Sequence, residues 1–381
     1  MHLPLRALLL AAASSSLVVA ATAAPSNSHN SNTSSFDPSS YEKRFVRCPA
    51  VDRGGGLAPV NIDLKLAYLD INPNASKVIV MSHGWPSLWT TYRNQIQTLG
   101  KEYRLLIPEH RGYGDSEHPR DLFESNTMPD FVNDFMCVMD HAGVKAGVCM
   151  GNDFGAQVCW EAARSRPDRF IGVFNAVVPY VSSAFDFVPT EKLVELAAGF
   201  GYQLYLSNNA TGGAVEMDAD PRNAIRSCAQ IASSQVPDSF LKDQTSFLGA
   251  WRMANQKAGR TDIPASGIMS KVVEDYMVAS YQKQGFYNTF NGYQRRNRYD
   301  TWRFERAQGN YTLSQPTFVL YPTKDPVADW AGVALALGSY KFLTNHYNAT
   351  IDTAHWPQEE RPAAYDALFR EWIGNVTFPT E

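Results

Sequence analysis

Residues 144–155 read VKAGVCMGNDFG, a nearly continuous apolar run that ends in Gly-Asn-Asp-Phe-Gly. A short apolar run of this kind predicts a strand buried on both faces, as in a parallel sheet. Gly151 and Gly155 flank a central acid in the pattern G-x-D-x-G, which is typical of a sharp strand-to-helix turn that presents a nucleophile. Glycine allows the strand and the helix to approach closely there. The sequence therefore predicts Asp153 as a nucleophile at the end of a strand.

A second pattern, G-x-C-x-G, overlaps the first one at 147–151 and would make Cys149 the nucleophile. The strand before it would then contain Gly143, Lys145 and Gly147, which fit a buried strand poorly. We therefore prefer Asp153, although an ordinary glycine-rich turn without catalytic function also remains open. The chain has no G-x-S-x-G, so a serine hydrolase of this kind is not expected.

Several other short apolar runs alternate with helical patterns along the chain. Strands are predicted at 77–81, 104–107, 144–150, 170–178 and 317–321, and helices at 129–141 and 156–165. This alternation predicts an α/β fold with a doubly wound, mostly parallel sheet. The core is expected to comprise residues 45–180 and 307–381.

The alternation stops in the middle of the chain. Residues 181–306 are helix-like and rich in aromatic side chains, with no clear strand pattern. A stretch of this length is too long to be a loop. We therefore expect a helical insertion that covers the sheet, and we call residues 181–306 the cap.

The N-terminus has the features of a secretory signal. Residues 1–24 combine Arg6, two apolar runs and an A-x-A pattern at 21–23, and residues 25–44 form a Ser/Asn-rich segment that we expect to be flexible. Six N-x-S/T sequons begin at Asn32, Asn74, Asn209, Asn310, Asn348 and Asn375. Together they predict a secreted, extracellular glycoprotein of a eukaryotic, and more specifically fungal, cell, with no stable membrane span after signal removal.

Five cysteines, at positions 48, 137, 149, 159 and 228, leave at least one thiol unpaired within the chain. Cys149 and Cys159 lie in apolar stretches, and we expect them to be buried as small apolar residues. No C-x-x-C pair is present. The cysteines thus give no indication of a metal site, and we expect no metal ion.

Composition disfavours a nucleic-acid partner. The chain has 381 residues with 34 Lys and Arg against 38 Asp and Glu, a net charge of −4. Proteins that bind nucleic acid usually carry a basic excess. Residues 293–306 do interleave five arginines with aromatic residues, which can stack on single strands. We interpret this segment instead as a cap helix whose arginine stems cover apolar surface.

Two further groups complete a candidate catalytic set. Asp325 follows the predicted strand 317–321, and His355 lies beyond the last strand pattern. The chain order of nucleophile, acid and histidine, Asp153–Asp325–His355, suits a carboxylate that orients a general base. The segment 83–86, His-Gly-Trp-Pro, follows the strand at 77–81, and the backbone N–H groups of Trp85 and Phe154 are predicted to form an oxyanion hole.

With these residues in place, the sequence resembles the epoxide hydrolases of the α/β-hydrolase fold over residues 61–372. The matching segments are HGWP at 83–86, GYGDS at 112–116, GNDFG at 151–155, YQLY at 202–205, FNGYQR at 290–295 and HWPQE at 355–359. Asn152 stands where a histidine is common in that family.

The resemblance implies hydrolysis of an epoxide to a vicinal diol through an ester on Asp153. Water activated by His355 and Asp325 would cleave this ester, and Tyr202 and Tyr293 of the cap would assist ring opening. Tyr205 and Tyr287 are the nearest substitutes for these tyrosines. The expected partners are a small apolar epoxide and water, with no cofactor.

Two alternatives remain. Haloalkane dehalogenases share the nucleophilic aspartate and the histidine, but they usually place a tryptophan after the nucleophile, where this chain has Phe154. The other alternative is a secreted binding protein without catalytic activity. The complete Asp153, Asp325 and His355 set argues against the second alternative.

Overall fold

Eight strands form a single sheet in the computed structural model, which describes residues 36–379. The strands are β1 (Arg44–Asp52), β2 (Val60–Ile71), β3 (Val78–Ser82), β4 (Arg104–Pro108), β5 (Gly147–Asn152), β6 (Phe170–Ala176), β7 (Thr317–Pro322) and β8 (His346–Ile351). Their order is β1-β2-β4-β3-β5-β6-β7-β8. The pairs β1–β2 and β2–β4 are antiparallel, and all others are parallel. All strands except β2 therefore have their carboxyl ends at one edge of the sheet.

The buried strands are those with continuous apolar runs. Every residue of β3, β5 and β7 is buried, as expected for strands covered on both faces. Strand β5 begins three residues later than predicted, because its pairing with β6 starts only at Gly147. The predicted fold class, a mostly parallel α/β sheet with an inserted helical cap, is confirmed.

Thirteen α-helices are found among residues 36–379. They are α1 (Arg93–Thr98), α2 (Met128–His141), α3 (Phe154–Ser165), α4 (Thr190–Leu196), α5 (Gly201–Asn208), α6 (Ala210–Asp218), α7 (Pro221–Cys228), α8 (Gly249–Lys257), α9 (Lys271–Gln284), α10 (Arg295–Gln308), α11 (Trp330–Leu337), α12 (Pro357–Glu360) and α13 (Pro362–Ile373). Helices α4–α10 lie between β6 and β7, and α10 extends two residues beyond the cap. Within the described part of the chain, no helix has both the length and the apolar character needed to cross a bilayer.

The arginine-rich segment of the cap forms most of α10. Arg306 donates to the backbone oxygens of Ser183 and Phe185, and its guanidinium lies over the Trp302 ring. Arg298 donates to the Val188 oxygen at 3.1 Å. These two arginines therefore hold the loop that enters the cap.

The cysteines differ from the prediction. Cys149 and Cys159 are fully buried, as expected, but they form a disulfide rather than remaining as thiols. Strand β5 and helix α3 follow each other around a tight turn, which brings the two Cα atoms within 5.4 Å. A second disulfide joins Cys48 to Cys137, and Cys228 is the free cysteine.

The expected flexible segment 25–44 is ordered where the structure describes it, from residue 36 onward. The Phe36 ring stacks on Tyr41 and packs against Trp89. Lys43 forms ion pairs with the buried Glu109 and with Asp115. The segment was expected to be flexible because its composition is dominated by Ser and Asn, although these few side chains anchor it to the core. The predicted signal peptide, residues 25–35 and Asn32 lie outside the described residues.

Candidate active site

Asp153 occupies a strained turn between β5 and α3. Its φ angle is +53°, in the left-handed region that non-glycine residues rarely adopt. A Cβ on Gly155 would lie 1.9 Å from the Ser82 oxygen, and one on Gly84 would lie 2.7 Å from the Asp153 Cβ. Only glycine fits these two places. The close packing therefore fixes the Asp153 carboxylate above the carboxyl end of the sheet.

His355 joins the other two predicted catalytic residues. Its Nδ1 lies 2.7 Å from Oδ2 of Asp325, and its Nε2 lies 3.4 Å from Oδ1 of Asp153. The Val327 N–H donates to the second Asp325 oxygen at 2.8 Å. Asp325 follows β7 and His355 follows β8, and these strands are neighbours in the sheet. The topology thus brings His355 and its neighbour Asp325 to Asp153, which is more than 200 positions before His355 in the chain.

The two carboxylates control the charge of His355. Burial disfavours the imidazolium, but the carboxylates of Asp325 and Asp153 outweigh it and raise the pKa of His355 from 6.5 to about 10. Because the pKa is higher in the folded state, this proton stabilises the fold fully below pH 6.5. The contribution is lost as the pH rises through about 10.

The loop after β3 contacts the predicted nucleophile, Asp153, through its backbone. The Trp85 N–H donates to Oδ2 of Asp153 at 3.0 Å. Phe154 is the first residue of α3, where backbone N–H groups lack partners within the helix. The Trp85 indole donates to Thr289 Oγ1 at 3.0 Å, and the Tyr113 hydroxyl donates to the Thr289 oxygen. The cap is therefore attached directly to the loop that holds Asp153.

Tyr202 on α5 and Tyr293, the last residue of the 3₁₀ helix that precedes α10, lie together near the predicted nucleophile Asp153. Their ring centroids are 5.5 Å apart, and those of Tyr293 and Trp85 are 5.3 Å apart. Burial and the Asp153 charge raise the pKa of Tyr202. Burial, Tyr202 and Asp153 raise the pKa of Tyr293. Both hydroxyls therefore remain protonated at neutral pH and can act as hydrogen-bond donors.

The two substitute tyrosines lie elsewhere. Tyr205 is one helical turn from Tyr202 and lies near Glu216. Tyr287 is half-buried at the beginning of the 3₁₀ helix Tyr287–Tyr293. The structure thus places Tyr202 and Tyr293, rather than these two, beside Trp85.

Glu360, which was not predicted from the sequence, positions the loop that carries His355. Its Oε2 accepts from the Ala354 N–H at 2.8 Å, and its Oε1 accepts from the Ala232 N–H of the cap at 2.9 Å. Glu360 therefore ties the residue before His355 to the cap. The sequence feature that could have indicated Glu360 is its closeness to His355 in the chain. The neighbouring Glu359 shares this feature, so the sequence could not distinguish the two acids.

Two cavities reach the candidate catalytic residues. A cavity of about 230 Å³ extends from Asp153 and Tyr293 between α3 and α10, and most of its lining is apolar or aromatic. A smaller one of about 40 Å³ lies behind His355, beside Tyr202 and Cys228. Cys149, the alternative nucleophile, is fully buried and disulfide-bonded, so it has no thiol to react.

The comparison with protein families agrees with this architecture. The family model described as the alpha/beta hydrolase fold matches residues 77–362 of this chain. The matched region contains Asp153, Asp325, His355 and both cap tyrosines.

Individual relatives have low sequence identity but long alignments. Epoxide hydrolase A of Mycobacterium tuberculosis (strain ATCC 25618 / H37Rv) is 26% identical over 328 residues, which cover 81% of this chain and 94% of that protein. Bifunctional epoxide hydrolase 2 of Mus musculus is 22% identical, over 86% of this chain but 57% of its own length. The crystal structure of epoxide hydrolase A from Mycobacterium thermoresistibile superposes with a TM-score of 0.71 and 22% identity, covering 88% of this chain and all of that one. At this identity, the structural match supports the fold alone.

Proposed function

The chain belongs to the alpha/beta hydrolase fold family, and on that basis we propose that it is an epoxide hydrolase with Asp153 as its nucleophile. The observation that carries the proposal is the pair of protonated tyrosines, Tyr202 and Tyr293, beside a carboxylate that is paired with a histidine. An epoxide needs a nucleophile on carbon and a proton donor on oxygen at the same time. The names of the relatives support the same reaction.

The first step is displacement at an epoxide carbon. Asp153 Oδ2 is held by the Trp85 N–H, and Oδ1, which lies 3.4 Å from His355 Nε2, is the oxygen that attacks. A carboxylate is ionised at neutral pH and needs no base. As the carbon–oxygen bond of the ring breaks, a hydroxyl of Tyr202 or Tyr293 gives its proton to the departing oxygen. The product is a hydroxyalkyl ester on Asp153.

The second step is hydrolysis of this ester. His355 takes a proton from water, whose oxygen attacks the ester carbonyl carbon, and the N–H groups of Trp85 and Phe154 stabilise the resulting oxyanion. The intermediate collapses when the diol leaves with an original Asp153 oxygen and a proton from His355. The water oxygen remains on Asp153, whose new carboxylic acid releases the second water proton to solvent and returns to the carboxylate. The tyrosinate takes a proton back from solvent.

Alkylation itself prepares His355 for the second step. The ester carries no charge, so only Asp325 continues to favour the imidazolium. The pKa of His355 should therefore fall from about 10 once the ester forms. The histidine is then closer to the neutral form that a general base requires. In this order of events, His355 is protonated in the resting enzyme and becomes able to accept a proton once the ester has formed.

We expect Tyr202→Phe and Tyr293→Phe each to slow diol formation from styrene oxide, and the double variant to slow it by about 10²- to 10⁴-fold, the range of one general-acid contribution. Phenylalanine keeps the aromatic packing on Trp85 and removes only the hydroxyl. Stopped-flow kinetics should place the loss in ester formation rather than in ester hydrolysis.

The control is Tyr205→Phe, which removes the hydroxyl of the neighbouring tyrosine outside the site and should leave the rate near wild type. If the double tyrosine variant forms the ester at the wild-type rate, the proposed role of these hydroxyls is wrong.

We also propose that the protein is secreted and N-glycosylated. The signal pattern at 1–24 and the sequons support this, and Asn74, Asn209, Asn310 and Asn375 are exposed, whereas Asn348 is half-buried in β8. Two disulfides are typical of an oxidising compartment. We expect the full chain, expressed in a eukaryotic host, to appear in the medium with an N-terminus near residue 25 and to lose mass on deglycosylation. Retention in the cells with an intact N-terminus would contradict secretion.

A further inference from the structure

The larger cavity leads away from the nucleophile along two helices. Asp153, Gln157 and Glu161 line one wall at helical spacing along α3. The opposite wall includes Tyr293 and Glu305 of the α10 region. Eight residues at 1.5 Å each place Glu161 about 12 Å from Asp153 along the helix axis. The cavity thus has a reactive end at Asp153 and a second, acidic end at Glu161 and Glu305.

The acidic end contains more carboxylates than cations. Arg164 donates to both oxygens of Glu161, at 2.6 and 2.7 Å, and also to the Asn310 backbone oxygen at 2.9 Å and to Gln308 Oε1 at 2.6 Å. Glu305 lies beside Glu161 and Ser183 and, within residues 36–379, forms no ion pair of its own. Burial and the neighbouring Glu161 raise the pKa of Glu305 well above its ordinary value. Glu305 is therefore held in its protonated, uncharged form instead of being paired with a cation.

Two buried polar atoms in the same cavity also lack partners in the described chain. They are the hydroxyl oxygen of Ser183 and the indole nitrogen of Trp330. Ser183 is 1% exposed and Trp330 is 5% exposed. Leaving a buried polar group unpaired costs about 1–3 kcal/mol. Ser183, next to Glu305, is thus independent evidence that this end of the cavity receives a polar group.

On these observations, and on the proposed function, we propose that Glu305 and Ser183 bind a hydrogen-bond donor at the far end of the epoxide substrate. The donor is a hydroxyl or an ammonium group about ten covalent bonds from the epoxide, the extended length that spans about 12 Å. Glu305 accepts its hydrogen bond, and Ser183 gains a partner for its buried hydroxyl. The substrate is therefore a linear, amphipathic epoxide with a polar end.

The other charged groups of the cavity do not favour a carboxylate in this position. Arg298 is already engaged with the Val188 oxygen and lies over the Phe187 ring. Asp186 lines the cavity and is exposed. A substrate carboxylate would gain little from Arg164, whose donors already bind Glu161, Gln308 and Asn310, and it would lie in a cavity that Asp186 also lines.

The test uses four linear terminal epoxides of equal length that end in methyl, hydroxyl, primary amine or carboxylate. We expect wild-type kcat/KM for the amine or the hydroxyl compound to exceed that for the methyl compound by about 10- to 100-fold, as a hydrogen bond to a charged group implies. The carboxylate compound should be the poorest. Glu305→Gln should lower the amine-to-methyl ratio at least about tenfold, while Glu371→Gln, an exposed change on α13, should keep the wild-type ratio.

Equal kcat/KM across the four compounds, or a preference for the carboxylate, would overturn the proposal. Turnover of the methyl compound without an end-group preference would refute this inference and leave the proposed function intact. If no epoxide is hydrolysed and none labels Asp153, the proposed function fails, and the inference fails with it. Should Glu305→Gln not fold, competitive inhibition of the wild type by saturated amines, alcohols and acids of the same length gives the same ranking or refutes it.

Discussion

His355→Gln protein incubated with a small epoxide will gain the mass of one whole epoxide molecule per chain. Ring opening needs Asp153 and the tyrosines, which this substitution leaves in place, but ester hydrolysis needs the general base. Loss of that base slows hydrolysis by about 10²- to 10⁴-fold, so the ester accumulates faster than it decays. Intact-mass analysis of deglycosylated protein measures the adduct directly, and peptide mapping locates it on Asp153.

Two controls make this result specific. His118→Gln changes a half-buried histidine away from Asp153, so its protein should turn over normally and carry no adduct. In parallel, a panel of haloalkanes separates the two candidate reactions, because a dehalogenase would retain only the alkyl part without the halogen. An adduct from haloalkanes alone would therefore replace the epoxide hydrolase proposal by the dehalogenase one. A folded His355→Gln protein with no adduct from any epoxide would contradict the ester mechanism.

The central sheet could be predicted because its buried strands have a recognisable sequence pattern. Strands buried on both faces must be apolar throughout, so β3, β5 and β7 are visible as short runs in the sequence. Strands β1, β2 and β8 were missed because their burial is only partial and polar residues interrupt their apolar pattern. The antiparallel pairing of β1 with β2 is a property of the sheet edge, which the sequence pattern does not encode.

Asp153, Asp325 and His355 could be chosen from the sequence because each follows a strand. In a parallel sheet all carboxyl ends share one edge, so position after a strand is information about proximity. The Cys149–Cys159 disulfide was missed because the sequence around these two cysteines does not indicate that they lie close together. Its apolar neighbours are equally compatible with buried thiols, and only the tight turn at Asp153 brings the two Cα atoms within bonding range.

The acidic end of the cavity could not be predicted from the sequence either. Glu161 and Glu305 are separated by 144 positions and belong to two helices, each of which contains other charged residues. Their meeting depends on how α10 of the cap lies against α3 of the core. Packing between helices is not read from the periodicity of either helix alone, so this site required the structure.

Asp153→Asn protein will form neither diol nor adduct, and we expect its activity to fall by at least about 10⁵-fold, as when a nucleophile is removed from a catalytic set that acts as a unit. The amide keeps the size of the side chain and its hydrogen bond with Trp85, but it is a poor nucleophile toward carbon. The double variant Asp153→Asn/His355→Gln should likewise show no adduct. Adduct formation at another residue in the double variant would contradict the assignment of Asp153.

The same substitution tests the electrostatic coupling between nucleophile and base. Asp153 is one of the two anions that raise the pKa of His355 to about 10, so its neutralisation should lower that pKa, as ester formation does. An NMR titration of the His355 ring measures the change, and Asp168→Asn, which removes an exposed carboxylate paired with Arg166, is the matched control. An unchanged titration in Asp153→Asn would mean that Asp325 alone holds the proton. Ester formation would then not favour the neutral form of His355, and the proposed switch between the two steps would be wrong.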